Sequence, residues 1–564
     1  MATAPLLLEI GCEEIPARWL AGLAGQLTDA IVHALRQAAL APDGEAAAVF
    51  YTPRRIALRL PNVLARQADR EEEVLGPPAR VAFAADGRPT PQAAGFAAKQ
   101  GAAPEALYLV STPKGEYAAL KRRQPGRDLA TLLTEILSRA LAEADLPKAM
   151  IWDGEGLAFV RPLRWLLALH GDRPLPVRLG AIEAANRSRG HRALGEREVA
   201  IAAAADYEAA LRRHFVLVEP EVRRRRIAAG LEQAGLAAAE TALLETLVNL
   251  TEYPTVLPGR FDEAYLELPA EVLTTVMRDH QKYFAVPRGG GADERELAPA
   301  FLAVMDLDAD RDGLIRHGHE RVLRARFNDA RFFWQTDRKR PLASRRPDLE
   351  HVTFQTKLGS YMEKSERTTR LAAFLAPLVA GADAAAAGEA ARLAKCDLTT
   401  ELVKEFTELQ GVMGGLYLRA EGAAAEVWQA VYDHYLPLAV DGAVPRGAVG
   451  AVVALADKLD TLAGMFLIGE TPTGSRDPFA LRRAANGVIR ILRAGGWRLS
   501  LAAALEAALA GFDSRLGDKA EAQAALLAFF RERQEFYLRE VEGLAADEAA
   551  AALAAGADDP VAAG

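Results

Sequence analysis

The chain has 564 residues, half of them hydrophobic and 26% charged, with a formal net charge of −8. That length has room for about four domains of ~150 residues each, so core size is not limiting. Its longest apolar runs, such as Trp165–Leu169 and Ala451–Ala456, fall well short of the ~20 residues that span a bilayer. Met1–Ile10 has no basic flank to mark a signal peptide, and Cys12 and Cys396 are too few and too distant for a disulfide framework or a thiol-rich zinc site. A cytosolic protein with no membrane partner is expected. The acidic balance argues only weakly against a nucleic-acid partner, because binding follows local fields.

The first third reads as mixed α/β. An apolar run, Pro5–Ile10, precedes a helical stretch from Ala17 to about Ala39, and Ile56–Leu60 has a strand pattern. Gly76-Pro77-Pro78 is expected to break the chain, Asp86–Thr90 to turn, and Ala93–Gln100 to form a helix. Lys114–Tyr117 reads as a hairpin tip. Asn186–Arg192 carries four basic or imidazole side chains around Gly190.

In the middle third, Arg223–Ala237 and Ala239–Leu250 have helical spacing, and Val256–Phe261 is expected to turn. Gln281–Pro287 and Ala300–Met305 read as strands joined through Gly289-Gly290-Gly291, which lack the Lys and Ser/Thr of a phosphate-cradling loop. Arg316–Thr336 is expected to be a helix with a basic face, since Arg316–Arg340 holds eight Lys/Arg against three acids. Arg223–Arg226 and Arg476–Arg493 are further basic clusters. Each is also readable as a solvated helix face.

From about Leu349 the pattern turns helical. Leu398, Leu402, Phe406, Leu409 and Met413 form one apolar stripe, and Val452, Leu455, Leu459, Leu462 and Phe466 another. Asp477 is expected to cap a third helix, with Pro478 in its first turn and Leu481, Ala484, Ala485, Val488 and Leu492 inward. The tail from Leu544 is expected to hold one more helix and then fray.

Gly318-His319-Glu320 is too short a likeness to a class I synthetase signature to carry weight, and no Walker, dinucleotide or zincin motif is present. Asp397, Glu405, Glu408, His434, Asp457 and Asp460 could suggest a metal phosphohydrolase of the HD type. Such an enzyme needs an adjacent His-Asp pair, and here the order is reversed, Asp433-His434. The expectation is buried structural polar groups and no metal. Arg331-Phe332-Phe333-Trp334 could stack bases, although adjacent aromatics on a helix usually divide between core and surface. Arg321, Arg324 and Arg331, spaced by three and seven, fall near one face and could track a phosphate backbone. Arg482, Arg483 and Arg490 are candidates by the same helical logic.

In order, LLLEIGCEEIPARWL, TPRRIALRL, DGRPTPQAAGFAAKQG, KGEY, FVRPLRWLLAL and GHR, then LTEYPTVLPGRFDEAYLELPAEVLTTVMRDHQKYFAV, ERVLRARFNDARFFWQTD, FQTKLGSYMEK, KCDLTTELVKEFTELQGVMGGLY and LADKLDTLAGMFLIGETPTGSRDPFALRRAANGVIRIL resemble the bacterial glycyl-tRNA synthetase beta-subunit family over nearly the whole chain. The resemblance implies a glycine–tRNA ligase component without catalytic residues of its own. It would bind and position tRNA(Gly), while a separate alpha subunit uses ATP and Mg within an α2β2 tetramer. It also implies an α+β multidomain fold, with a mixed α/β N-terminal half followed by a mostly helical HD-like domain. The expected divisions are 1–205, a basic middle 206–345, the HD-like part 346–500, and 501–564 as the start of a truncated helical anticodon-binding domain, most of which is expected to be lacking. Ile151 stands where the family tends to have a basic residue. The rival readings are an HD-type metal-dependent phosphohydrolase and a stand-alone RNA-binding module.

Overall fold

The computed structural model describes residues 3–84, 87–152, 154–236, 240–288, 296–474 and 476–562. The triple glycine at 289–291 and the first residue of the turn expected at 86–90 lie outside them. The chain divides into two compact units, Met1–Pro258 with Leu302–Arg316, and Gly259–Phe301 with His317–Gly564. The architecture is multidomain α+β, with the sheets concentrated in the N-terminal half and helices in the C-terminal part.

The first unit is organised by the strand Thr3–Cys12, which lies between Arg55–Leu64 and Leu163–His170 and pairs antiparallel with both. Its apolar run is nearly continuous because both faces of the strand are covered. Leu6, Leu8 and Ile10 pack with the inner faces of helices Ala17–Gln37 and Leu129–Glu143. Leu7 packs on the other face with Phe50, Leu167 and Tyr207. Period two therefore sends Glu9 to the side of Leu7, where it is fully buried.

A smaller sheet in this unit pairs Gly115–Gln124 with Arg70–Pro78 on one side and Tyr108–Thr112 on the other. The expected hairpin tip is present, with Thr112 opposite Gly115. Gly76-Pro77-Pro78 does not break the chain. It ends the strand Arg70–Pro78, whose register slips between Leu75 and Pro78. The expected helix runs Pro91–Lys99, capped by the Thr90 hydroxyl.

Val256–Phe261 is also a correction, because Thr255–Arg260 is an edge strand. An edge tolerates Pro258, and Gly259 serves close packing, since a Cβ there would lie 2.2 Å from the Phe301 ring. The strand expected from Gln281 starts only at Phe284. Val276–Gln281 instead forms a π-helical turn, and Lys282 reverses the chain at φ 61°. The two helices expected after residue 220 are Pro220–Gln233 and Thr241–Val248.

The second unit is built around the helix Gly447–Leu467, which is buried on nearly all sides and so reads as a core element. Helices Tyr361–Leu375, Ala425–Asp433, Leu481–Gly495, Leu501–Ala510 and Lys519–Glu540 pack on it. The stripe from Leu398 to Met413 is not one helix. It is divided among short turns, including Glu401–Glu405, and the longer Val412–Ala420, although Leu402, Phe406, Leu409 and Met413 are all buried. Asp477 caps from a distance, because its carboxylate accepts the Leu481 and Arg482 N–H groups while the helix begins at Leu481. The tail forms the helix Ala546–Gly556.

Candidate nucleic-acid interface

The basic helix runs Leu314–Asp337. Leu323, Phe327, Ala330, Trp334 and Asp337 make its buried stripe, and Trp334 stacks on Tyr417 at 5.0 Å. Period 3.6 then turns Arg321, Arg324, Asn328, Phe332 and Gln335 outward, where all are exposed. The adjacent aromatics divide accordingly, with Phe332 63% exposed and Trp334 8%. The C-terminal end of the helix is held by Asp337, which receives Arg345, the Tyr417 hydroxyl and the N–H groups of Glu401 and Leu402.

The three arginines predicted on this face differ. Arg321 and Arg324 have no hydrogen-bond or ion-pair partner among the described residues. Arg331 lies 4.9 Å above the Tyr265 ring and donates to Asn328 at 3.1 Å. Beside Arg324 is a cleft of about 190 Å³, lined also by Arg260, Phe261, Asp262 and Glu320. Sequence reasoning missed Arg260, because its segment was taken for a turn and it falls in no charge run. Its one signal was its place in the LPGRFDE motif.

The other three lie on the helix Leu481–Gly495. Arg483 is exposed, and Arg482 is half-buried and donates to the Gly474 carbonyl at 2.8 Å. Arg490 is engaged inside the fold, donating to the Gly442 and Asp441 carbonyls and to the Tyr537 hydroxyl. Of the Arg223–Arg226 cluster, Arg223 is buried, Arg224 is half-buried, and Arg225 and Arg226 are exposed. Arg223 is fully buried and donates to the Val248 and Leu217 carbonyls, and burial pushes its guanidinium down to about 10. Arg224 pairs with Glu245, and Arg226 donates to the Pro254 carbonyl.

Distant motifs converge in two buried polar clusters. In the first unit, Arg55 is fully buried, donates to Ser188 at 2.9 Å and Glu252 at 3.0 Å, and lies 3.8 Å from Glu9. Glu252 also accepts the Thr52 hydroxyl at 2.6 Å and Arg54 at 3.4 Å. Glu9 accepts the Trp165 indole N–H and the Tyr207 and Ser188 hydroxyls.

In the second unit the signs are exchanged. Asp457 Oδ1 lies 3.2 Å from Lys364 Nζ and 3.1 Å from Lys395 Nζ. Asp460 pairs with Lys364 and Arg367. Burial would raise the Asp457 carboxyl, but Lys364 and Lys395 lead a group of cations that holds it well below the usual carboxylate range. His434 Nδ1 is 2.6 Å from the Val431 carbonyl and must donate to it, so Nε2 is the acceptor for Lys395 Nζ at 2.9 Å. Burial and Lys395 together lower that imidazole to about 3. The centre weighed as a metal site thus has lysine ammonium groups against its carboxylates, and among the described residues no three His, Cys, Asp or Glu groups converge to hold a metal.

The family model described as glycyl-tRNA synthetase beta subunit matches residues 6–554. Proteins named glycine–tRNA ligase beta subunit share the likeness. That of Acidobacterium capsulatum is 45% identical over 99% of this chain and 80% of its own length. Those of Anaeromyxobacter dehalogenans and Geobacter sulfurreducens are 44% and 40% identical, each over 99% of this chain and 80% and 81% of their own lengths. Neither rival reading is favoured by these matches. The chain therefore belongs to the glycyl-tRNA synthetase beta-subunit family and serves as a component of a glycine–tRNA ligase.

Proposed function

We propose that this chain grips tRNA(Gly) through exposed arginines of the helix Leu314–Asp337 and holds it for glycine transfer by a separate alpha subunit, in an α2β2 assembly in the cytoplasm. The observation that carries the reading is the pair Arg321 and Arg324, whose guanidinium groups lie on an exposed helical face without partners among the described residues. Such groups neutralise phosphates and release counterions. The contribution to rate is positioning, since holding the acceptor end beside an activated glycine raises its effective concentration.

ATP and Mg are assigned to the alpha subunit. The most heavily charged centre of the helical unit is a poor fit for Mg, which favours carboxylate and water oxygens over ammonium neighbours. No helix among the described residues is long and apolar enough to cross a membrane.

The test is a salt series of tRNA(Gly) binding by wild type and by Arg321→Glu/Arg324→Glu. The variant should bind about tenfold more weakly at physiological salt, and its log–log salt slope should be shallower by about two. Unchanged affinity would remove this face from the interface. Glycylation by a bacterial alpha subunit, with and without this chain, tests the wider reading. A rate that does not depend on the chain would refute it.

A further inference from the structure

The arginine-rich segment 186–198 is not used by the interface proposed above. Its backbone is pinned. The Gly190 N–H donates to the Glu196 carbonyl at 2.8 Å, Gly195 to His191 at 2.9 Å, and His191 to His214 at 2.9 Å. His191 Nδ1 accepts the Ala193 and Leu194 N–H groups, so Nε2 carries the proton and faces Asp306 Oδ2 at 3.1 Å. Close approach fixes the loop further, since a Cβ on Gly195 would lie 2.4 Å from the His214 carbonyl oxygen. Arg189 and Arg197 directly flank the hydrogen-bonded pair Gly190 and Glu196, so they emerge on either side of one rigid loop neck.

Behind the neck, the guanidinium carbons of Arg189, Arg55 and Arg54 lie 4.8, 5.3 and 5.8 Å from the centre of one ring, that of Trp165. Apart from the exposed Glu196, which has no ion pair among the described residues, the nearby carboxylates are already engaged. Glu252 holds Arg54 and Arg55, Glu13 holds Arg164 and Arg192, Glu14 holds Arg192, and Glu198 holds Arg187. Arg189 and Arg197 have no carboxylate partner among the described residues, and Arg189 makes only a long bond, 3.5 Å, to the Arg164 carbonyl. The Nε of Arg54, a residue 9% exposed, is buried without a hydrogen-bond partner among the described residues. Burial, Arg54 and Arg197 together push the Arg189 guanidinium down, as unrelieved like charges do.

We infer that Arg189 and Arg197, backed by Arg54, form a second oxyanion site whose ligand is a backbone phosphate of RNA. Guanidinium forks match phosphate oxygens, and a rigid neck limits the ordering cost of binding. A protein interface would require buried aromatic or aliphatic anchors. None of the exposed large apolar side chains among the described residues falls between 186 and 198. The inference rests on tRNA binding as proposed above, and it adds a contact in the first unit.

The experiment titrates tRNA(Gly) against the full chain across a salt series, using wild type, Arg189→Ala/Arg197→Ala and Arg197→Glu. The double variant should bind about tenfold more weakly at physiological salt, with the salt slope reduced by about two. Arg197→Glu, at an exposed position, should weaken binding without lowering the melting temperature. Wild-type affinity and slope in both variants would overturn the site. Intact RNA binding with lost association to an alpha subunit would also overturn it, in favour of a protein carboxylate. If wild type itself ignored tRNA(Gly), the proposed function would fall, and that result differs from one in which wild type and both variants bind alike, which would overturn this site alone.

Discussion

The two buried polar clusters of this chain are charge mirror images. Around Arg55 one guanidinium is enclosed by the carboxylates of Glu9 and Glu252, whereas around Asp457 one carboxylate is enclosed by the ammonium groups of Lys364 and Lys395. In both, burial is tolerable because opposite charges and hydrogen bonds compensate it. Removing one partner is therefore far more damaging than the net worth of the pair. The difference lies at the margin. The Asp457 cluster includes an imidazole facing an ammonium group, which gives it a response to acid.

The largest effect is expected at the centre of the first cluster. Arg55→Met leaves Glu9 buried without a guanidinium and Glu252 with Arg54 alone at 3.4 Å, and should cost about 3–5 kcal/mol in urea unfolding. A loss under about 1 kcal/mol would mean that water or Arg54 replaces it. Next, Asp457→Asn should cost about 3 kcal/mol, somewhat less because Lys364 keeps Asp460 at 3.1 Å. Equal losses in the two variants would erase the proposed asymmetry.

Acid should separate the clusters. His434 titrates at about 3 when folded, against 6.5 ordinarily, so between those values the unfolded chain binds the extra proton. The contribution of neutral His434 is present in full above 6.5 and is lost as pH falls toward 3. Within that window one proton changes stability by up to about 1.4 kcal/mol per pH unit. Melting curves at stepped pH should show a flatter acid limb for His434→Gln than for wild type, and parallel limbs would contradict the assignment.

The smallest effect tests the frame of the second cluster. Ser360 and Glu363 form a capping box on Tyr361–Leu375, the helix that carries Lys364 and Arg367. Ser360→Ala should cost about 1 kcal/mol by thermal melting. A much larger loss would show that the cap positions the charged cluster as well as the helix end.

Much of the fold was legible where one periodicity dominated. The apolar run Pro5–Ile10, the hairpin at Lys114–Tyr117 and the stripe from Val452 to Phe466 all appear where expected. Legibility failed where a glycine or proline served packing rather than turning, as at Gly259 and in Gly76-Pro77-Pro78. It failed again where evenly spaced apolar residues were divided by short turns between Leu398 and Met413. Among the six arginines singled out, helical spacing placed Arg321, Arg324 and Arg483 on exposed positions. Spacing could not reveal that Arg490 is committed to Asp441, Gly442 and Tyr537, because those partners lie about fifty residues away in the chain.

Family membership was readable in the sequence alone, since a long ordered series of motifs does not arise from composition or periodicity. So was the outward face of the basic helix, because 3.6-residue geometry is local. Only the tertiary structure decided which charges are spent internally. Glu9, Arg55 and Glu252, like Lys364, Lys395 and Asp457, are far apart in the chain, and their interaction depends on distances of a few ångströms and on burial, neither of which exists before the elements pack.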